Sequence, residues 1–176
     1  AANARSFDHI VCIGGDGTLN ETITGIIASG EHCSVGYIPA GTTNDFAASL
    51  GIPKQMEKAA AIAVSGRPVQ VDVGRFNDRY FSYVAAFGAF TEASYATPQS
   101  QKKALGHLAY VLQGAASLTK LEAIETRIEY DGGVLEDRYI YGSMSNSSSV
   151  AGMLRLPEKL VGLGDGMSEL FLVRYP

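Results

Sequence analysis

Two short glycine-bearing strings, each wedged between an apolar run and a helix-like stretch, restrict this chain more than any other feature. Gly14-Gly15-Asp16-Gly17-Thr18 follows the run His9–Ile13 and opens a helix expected over Thr18–Ala28. There Leu19, Ile23, Ile26 and Ile27 form an apolar stripe that Gly30 ends. Pro39-Ala40-Gly41-Thr42-Thr43-Asn44-Asp45-Phe46 follows a second run, Ser34–Ile38, and opens a helix from about Asn44 to Leu50, closed by Gly51 and Pro53. An Ala-rich helix is expected from about Gln55 to Ser65. Strand, helix, strand, helix in this order requires an open α/β sheet, with His9–Ile13 as a buried parallel strand.

Beyond Gly66 the period changes. Val69, Val71 and Val73 alternate with Gln70 and Asp72, the pattern of a strand with one buried face. Arg79–Phe87 continues in strand-forming residues, and Ile124, Thr126, Ile128 and Tyr130 alternate with Glu125, Arg127 and Glu129. Asp131-Gly132-Gly133 turns the chain into Val134, and Ser168–Tyr175 supplies a last strand. Lys103–Leu118 predicts an amphipathic helix with Leu105, Leu108, Ala109 and Leu112 on one face. The expected fold class is an α/β N-terminal lobe, residues 1–72, plus a mostly antiparallel β-rich second domain, residues 73–176, the boundary falling between Arg67 and Arg75.

Fourteen Lys and Arg against 18 Asp and Glu leave a formal charge of −4, which gives no general attraction to nucleic acid or an anionic bilayer. Two cysteines, Cys12 and Cys33, are too few for a disulfide framework and predict two reduced, buried thiols in a cytoplasmic protein. His9 and Cys12 point to opposite faces of their strand, so they do not share a metal. No apolar run reaches the ~18 residues of a membrane span. The opening Ala1-Ala2-Asn3-Ala4 lacks an initiator Met and runs at once into a core strand, and the chain stops on another strand. Both ends lead to the expectation that residues are missing.

A glycine turn between a strand and a helix is where α/β proteins bind phosphates, because free N–H groups at the helix start point at the ligand. Glycines let the backbone approach the oxygens without a Cβ in the way. Asp16 is the informative residue. A carboxylate beside phosphates is repelled unless a cation or a proton is shared there, which points to Mg²⁺ or acid–base work. The G-x-x-x-x-G-K-[ST] string of a P-loop is absent, and Gly15-x-Gly17-x-x-Asn20 lacks the third glycine of the dinucleotide fingerprint. Simpler roles stand beside these. Thr18-Leu19-Asn20-Glu21 fits a capping box, so Glu21 serves either the helix start or a ligand, and Thr42 or Thr43 suits an N-cap. Caps do not need the whole second string, and two such strings in order would bring two helix N-termini to one crevice.

GGDGTLNE at Gly14–Glu21 followed by PAGTTNDFA at Pro39–Ala47 resembles the catalytic domain of diacylglycerol kinases and their lipid-kinase relatives. GT-x-NDF, VDVG at Val71–Gly74 and YATP at Tyr95–Pro98 are most similar to the bacterial soluble branch, and the resemblance runs over nearly all the chain. It implies ATP and Mg²⁺ in a cleft between an α/β lobe and a β-rich lobe. Gly14, Gly15, Asp16, Gly17, Thr18, Leu19, Asn20, Glu21, Gly41, Thr42 and Asn44 would contact the nucleotide. Asp16 would sit at the reaction centre, with Asp45 and Asp72 in a water-bridged acidic network around Mg²⁺. Gly162, Asp165 and Met167 resemble a second, structural Mg²⁺ site, although a turn at Gly164-Asp165-Gly166 is the simpler account of those residues alone. Two family features are absent from the chain: the V-D-G-E-type segment carrying the general base, and a short strand and loop ahead of the first motif.

The resemblance thus implies an ATP- and Mg²⁺-dependent lipid kinase, acting on diacylglycerol or a related lipid, cytoplasmic and touching the membrane only peripherally during turnover. An NAD kinase shares GGDGT and the general architecture, and a nucleotide-binding module without catalysis is the alternative from another class. Tyr95, Leu105 and Leu108 suit either an apolar entrance or plain core packing, and Lys102-Lys103 is too small a patch to anchor a protein. The acceptor lipid and the oligomeric state, a homodimer included, stay open.

Overall fold

Strand β1 (His9–Gly14) pairs in parallel with β2 (Ser34–Pro39), in register from His9 opposite Ser34 to Gly14 opposite Pro39. A parallel pair needs a crossover, and helix α1 (Asp16–Ser29) supplies it. In this computed structural model the described residues are 7–89, 91, 122–150, 154–157 and 161–176. The helix expected over Lys103–Leu118 and the Tyr95–Pro98 string lie outside them.

Helix α1 starts earlier than its apolar stripe suggests, and its N-cap is Gly15 with no side-chain cap. Thr18 lies inside the first turn, so the capping box expected of Thr18 and Glu21 does not form. Gly30, left-handed at φ 71°, closes the helix by donating to the Ile27 carbonyl. Of the expected stripe, Leu19 is fully packed while Ile27 reaches solvent.

The two faces of β2 are covered by different helices. Tyr37 joins Cys12 of β1, Leu19 of α1, and Phe46 and Ala47 of α2 (Asp45–Ser49) in one cluster. Ile38 packs with Ala59 and Ala63 of α3 (Met56–Ser65) on the other side. Burying a side chain such as Phe46 in this way contributes about 1.5–3 kcal/mol. Helix α3 comes so close at Gly36 that a Cβ there would clash with the Ala63 carbonyl oxygen. His9 adds a polar clasp, with Nε2 2.7 Å from that same oxygen and Nδ1 2.7 Å from Ser34 Oγ. Strand β1 is less covered than its apolar run predicts. Cys12 is buried, but Val11 and Ile13, facing the other way, are 41% and 62% exposed. Both thiols are free; Cys33 is only half-buried.

The strand expected over Val69–Val73 does not form, and Val69 is largely exposed. The backbone there bonds a loop rather than a neighbouring strand: the Asp72 N–H donates to the Leu163 carbonyl at 2.7 Å. Arg79–Phe87 is not one strand. It breaks at Ser82–Tyr83 into β4 (Arg79–Phe81), paired antiparallel with β3 (Gly74–Phe76), and β5 (Val84–Gly88).

Two compact units result: Ala1–Val84 with Ser145–Glu169, and Ala85–Met144 with Leu170–Pro176. The second is built on the antiparallel hairpin of β6 (Ile124–Tyr130) and β7 (Gly133–Ser145), turned at Asp131-Gly132. Strand β7 is central, with β5 and the C-terminal strand (Glu169–Arg174) beside it. Tyr139 is the most buried large side chain among its described residues, and Phe87 packs over Gly142. The alternation in β6 covers its apolar face only in part, since Tyr130 is 51% exposed. The ion pairs of Arg127 with Glu129 and Glu136 are exposed and worth little. The α/β N-terminal part and the antiparallel sheet of the C-terminal region agree with the fold class expected.

Candidate functional site

Everything the sequence singles out, apart from the residues outside the description, lies in the first unit. The two glycine strings form adjacent strand-to-helix turns at the ends of the paired strands, where the Ala40 N–H donates to the Gly14 carbonyl at 2.7 Å. Their backbones touch: a Cβ on Gly41 would sit 2.5 Å from the Gly15 Cα. Only glycines permit that approach. The second turn is closed by Asn44, whose Oδ1 accepts from the Gly41 N–H at 2.9 Å and whose Nδ2 donates to the Gly41 carbonyl at 2.8 Å. Asn44 is left-handed, φ 54°, a conformation in which Asn is enriched. It is the N-cap of α2, so the Thr42 or Thr43 cap expected from the sequence does not form.

Asp16 joins the two turns. Its Oδ2 accepts from the Asp45 N–H and its Oδ1 from the Phe46 N–H, both at 3.1 Å. These are the first two N–H groups of α2. The two helix starts do meet, but the second has its leading donors engaged by the aspartate of the first. A carboxylate at this place is therefore stabilised by the amides and dipole of α2 without a cation. Burial still dominates its protonation. It pushes the Asp16 carboxyl above the ordinary range, the two N–H bonds pull it back, and the Asp45 charge raises it further. The Tyr37 hydroxyl beneath is also pushed up, by burial first and then by Asp16.

Asp45 is buried, and the Tyr83 hydroxyl donates to its Oδ2 at 2.7 Å. At the far end of α2, Ser49 Oγ lies 2.7 Å from the buried Ser147 Oγ and 3.2 Å from Ser148 Oγ. Asp72 stands on irregular chain, and its Oδ2 accepts from the Gly166 N–H at 2.7 Å. The remaining candidates divide by exposure. Gly17, Thr18, Glu21, Gly41 and Thr42 are exposed, with the first-turn N–H groups of α1 lacking intrahelical acceptors, as in any helix. Leu19 is a core residue. The Asn20 amide clamps β4, donating to the Tyr80 carbonyl at 3.1 Å and accepting from the Ser82 N–H at 3.0 Å.

Gly162, Asp165 and Met167 are brought together. Asp165 lies directly over Gly162, where an added Cβ would force the Asp165 carboxylate to shift, and its Oδ1 accepts from the Met167 N–H at 3.0 Å. Nearby, Glu169 has a buried oxygen without a partner among the described residues; its carboxyl is pushed up by burial and then by the charge of Asp165. Among the described residues no group of three His, Cys, Asp or Glu is close enough to hold an ion by itself. Mg²⁺ fits such a place only in its usual manner, with one or two carboxylates, retained waters and substrate phosphates. Tyr83 and Asn146, which meet the acidic residues directly, carry no sequence signal of their own. The nearest one is the polar string Ser145–Ser149 that closes a long strand.

Residues 1–76 match the family model described as the diacylglycerol kinase catalytic domain. A diacylglycerol kinase of Bacillus subtilis (strain 168) is 39% identical over 175 residues, covering 98% of this chain and 57% of the relative. One from Staphylococcus aureus (strain JH9) is 38% identical over 96% of this chain and 53% of its own. The chain thus spans about half the length of these relatives. A crystal structure of a diacylglycerol kinase from Bacillus anthracis str. Sterne superposes with a TM-score of 0.75 at 28% identity, over 98% of this chain and 56% of that one. Another structure from the same organism gives 0.80 at 29% identity, over 98% and 57%. With its glycine turns inside the matched region and these similarities along nearly its whole length, the chain belongs to the diacylglycerol kinase catalytic-domain family.

Proposed function

We propose that the chain carries the nucleotide-binding part of an ATP- and Mg²⁺-dependent lipid kinase that transfers the γ-phosphoryl group to a hydroxyl of diacylglycerol or a related lipid. The observation that supports this best is the junction of the two turns. The backbone of Gly15–Thr18 and Gly41–Thr42 is exposed or half-exposed there, and the Asp16 carboxylate fixes its shape. Phosphoryl transfer asks a protein mainly for positioning and charge stabilisation. The N–H groups of Gly17 and Thr18 hold phosphate oxygens at the start of α1. Asp16, Asp45 and Asp72 form the acidic network that would hold Mg²⁺ through bridging waters. Mg²⁺, when bound, neutralises charge on the phosphate oxygens. Asp16 aids in taking the proton of the lipid hydroxyl, a role suited to a carboxyl whose pKa burial has raised. Each of its oxygens accepts one N–H and keeps a second lone pair. A second cation at Asp165 would order the Gly162–Met167 loop.

No helix among the described residues is long and apolar enough to cross a membrane. We propose, from the resemblance to the soluble bacterial lipid kinases, that the lipid is met at the bilayer surface by a cytoplasmic protein. The test is to give the full-length protein labelled ATP and Mg²⁺ with a panel of lipids in mixed micelles, and NAD in parallel. Phosphatidic acid formed from diacylglycerol is the expected product. NADP⁺ formation would replace this reading with an NAD kinase, and ATP binding without transfer would replace it with a binding module.

A further inference from the structure

Three segments distant in sequence meet on Asn146, which is 2% exposed and directly follows β7. Its backbone N–H donates to the Tyr83 carbonyl at 3.0 Å. Its Nδ2 donates to both the Asp72 and the Leu163 carbonyls, each at 3.0 Å. Two carbonyl oxygens can be faced only by the amide nitrogen, so the orientation of the side chain is fixed by its partners. The other end of the amide, Oδ1, is buried and has no hydrogen-bond partner among the described residues. An unpaired buried acceptor works against stability, so the asparagine is a costly way to fill this space. Its distinctive contribution is the NH₂ group and what that group holds.

Through that group the residue holds Asp72, and through its backbone N–H it holds Tyr83, the supports of two carboxylates. Tyr83, bonded through its carbonyl, sends its hydroxyl to Asp45 Oδ2 at 2.7 Å. Asp72, bonded through its carbonyl, accepts the Gly166 N–H on its own carboxylate at 2.7 Å. No strand forms over residues 69–73, so no sheet ladder fixes Asp72 relative to α2. We propose that Asn146 is the positioning residue of the acidic centre, registering Asp45 (through Tyr83) and Asp72 in one frame. Its catalytic consequence rests on the phosphoryl-transfer reading above; its geometric consequence does not.

Asn146→Leu keeps the branched shape and the number of heavy atoms, with bulkier methyl groups, removes the oxygen and deletes both side-chain bonds. In the full-length protein without ligands, amide hydrogen exchange at Asp72 and Gly166 is expected to accelerate about tenfold or more, while amides of α3 keep their rates. In the transfer assay kcat is expected to fall about 10²-fold, with KM for ATP within about twofold of wild type. Tyr83→Phe, which removes one oxygen, should lower kcat with the same unchanged KM and add to the loss in Asn146→Leu, because that variant keeps the backbone N–H on the Tyr83 carbonyl and acts through Asp72. It carries the test on that arm if Asn146→Leu does not fold. Unchanged exchange at Asp72 and Gly166 would overturn the proposal whether or not any lipid is phosphorylated. Faster exchange with undiminished kcat would overturn its catalytic half. Faster exchange in a protein whose wild type phosphorylates nothing would support the positioning role and count against the lipid-kinase reading alone.

Discussion

Asp16 has a use that its place in a glycine turn does not disclose. A carboxylate among phosphate-binding glycines suggests a cation, yet here two backbone amides of α2 already face it at 3.1 Å. Asn44 was legible as part of the motif, but its work is to close the second turn on Gly41. Its left-handed backbone and two amide bonds make a graded prediction. Asn44→Gly should lose roughly 1 kcal/mol, and Asn44→Ala about 2 kcal/mol or more, because alanine adds the left-handed strain to the lost bonds. Urea melts that rank Ala above Gly would show that strain is unimportant there. Glu169 gives a pH-dependent case. Burial raises its folded-state pKa above the unfolded 4.5, so its contribution to stability is lost as pH rises through 4.5 toward the folded value. Glu169→Gln in EDTA should therefore match wild type well below pH 4.5 and melt higher at pH 7; equal melting at pH 7 would contradict the burial argument. Tyr83 and Asn146 were not legible, because their partners are long-range and nothing local distinguishes them from ordinary polar residues.

Elements were read best where a local rule acts alone. The parallel pair, the crossover helix and the Asp131-Gly132 hairpin follow from run length, period and turn residues, and the structure has all three. The capping box failed because Thr18 is already inside α1, whose start is set by Gly15 and the contact with Gly41. The valine alternation at 69–73 failed because a strand needs a neighbour, and Asp72 is bonded to a loop instead. Close packing of α3 on β2 rests on Gly36. Gly36→Ala would drive a Cβ into the Ala63 carbonyl, and overpacking of this kind costs about 1–3 kcal/mol. Because α3 lies on the opposite face of β2 from Asp16, nucleotide affinity should change little. A calorimetric titration showing loss of ATP binding in a folded Gly36→Ala protein would contradict that separation.

At the scale of the molecule, the first unit contains all the acidic candidates, drawn from α1, from α2, from the chain around residue 72 and from the segment Ser145–Glu169. A sequence can announce the two turns, because each is contiguous. It cannot announce that residue 83 returns to Asp45, or residues 146 and 163 to Asp72. The family places the turns in a kinase fold; the chemistry proposed here depends on their junction at Asp16. The most direct measurement is transfer of label from ATP to diacylglycerol by the full-length Asp16→Asn protein beside wild type, with circular dichroism on both. Transfer abolished in a variant that keeps its fold is the predicted result. Transfer retained by Asp16→Asn would contradict the central claim and remove Asp16 from the reaction.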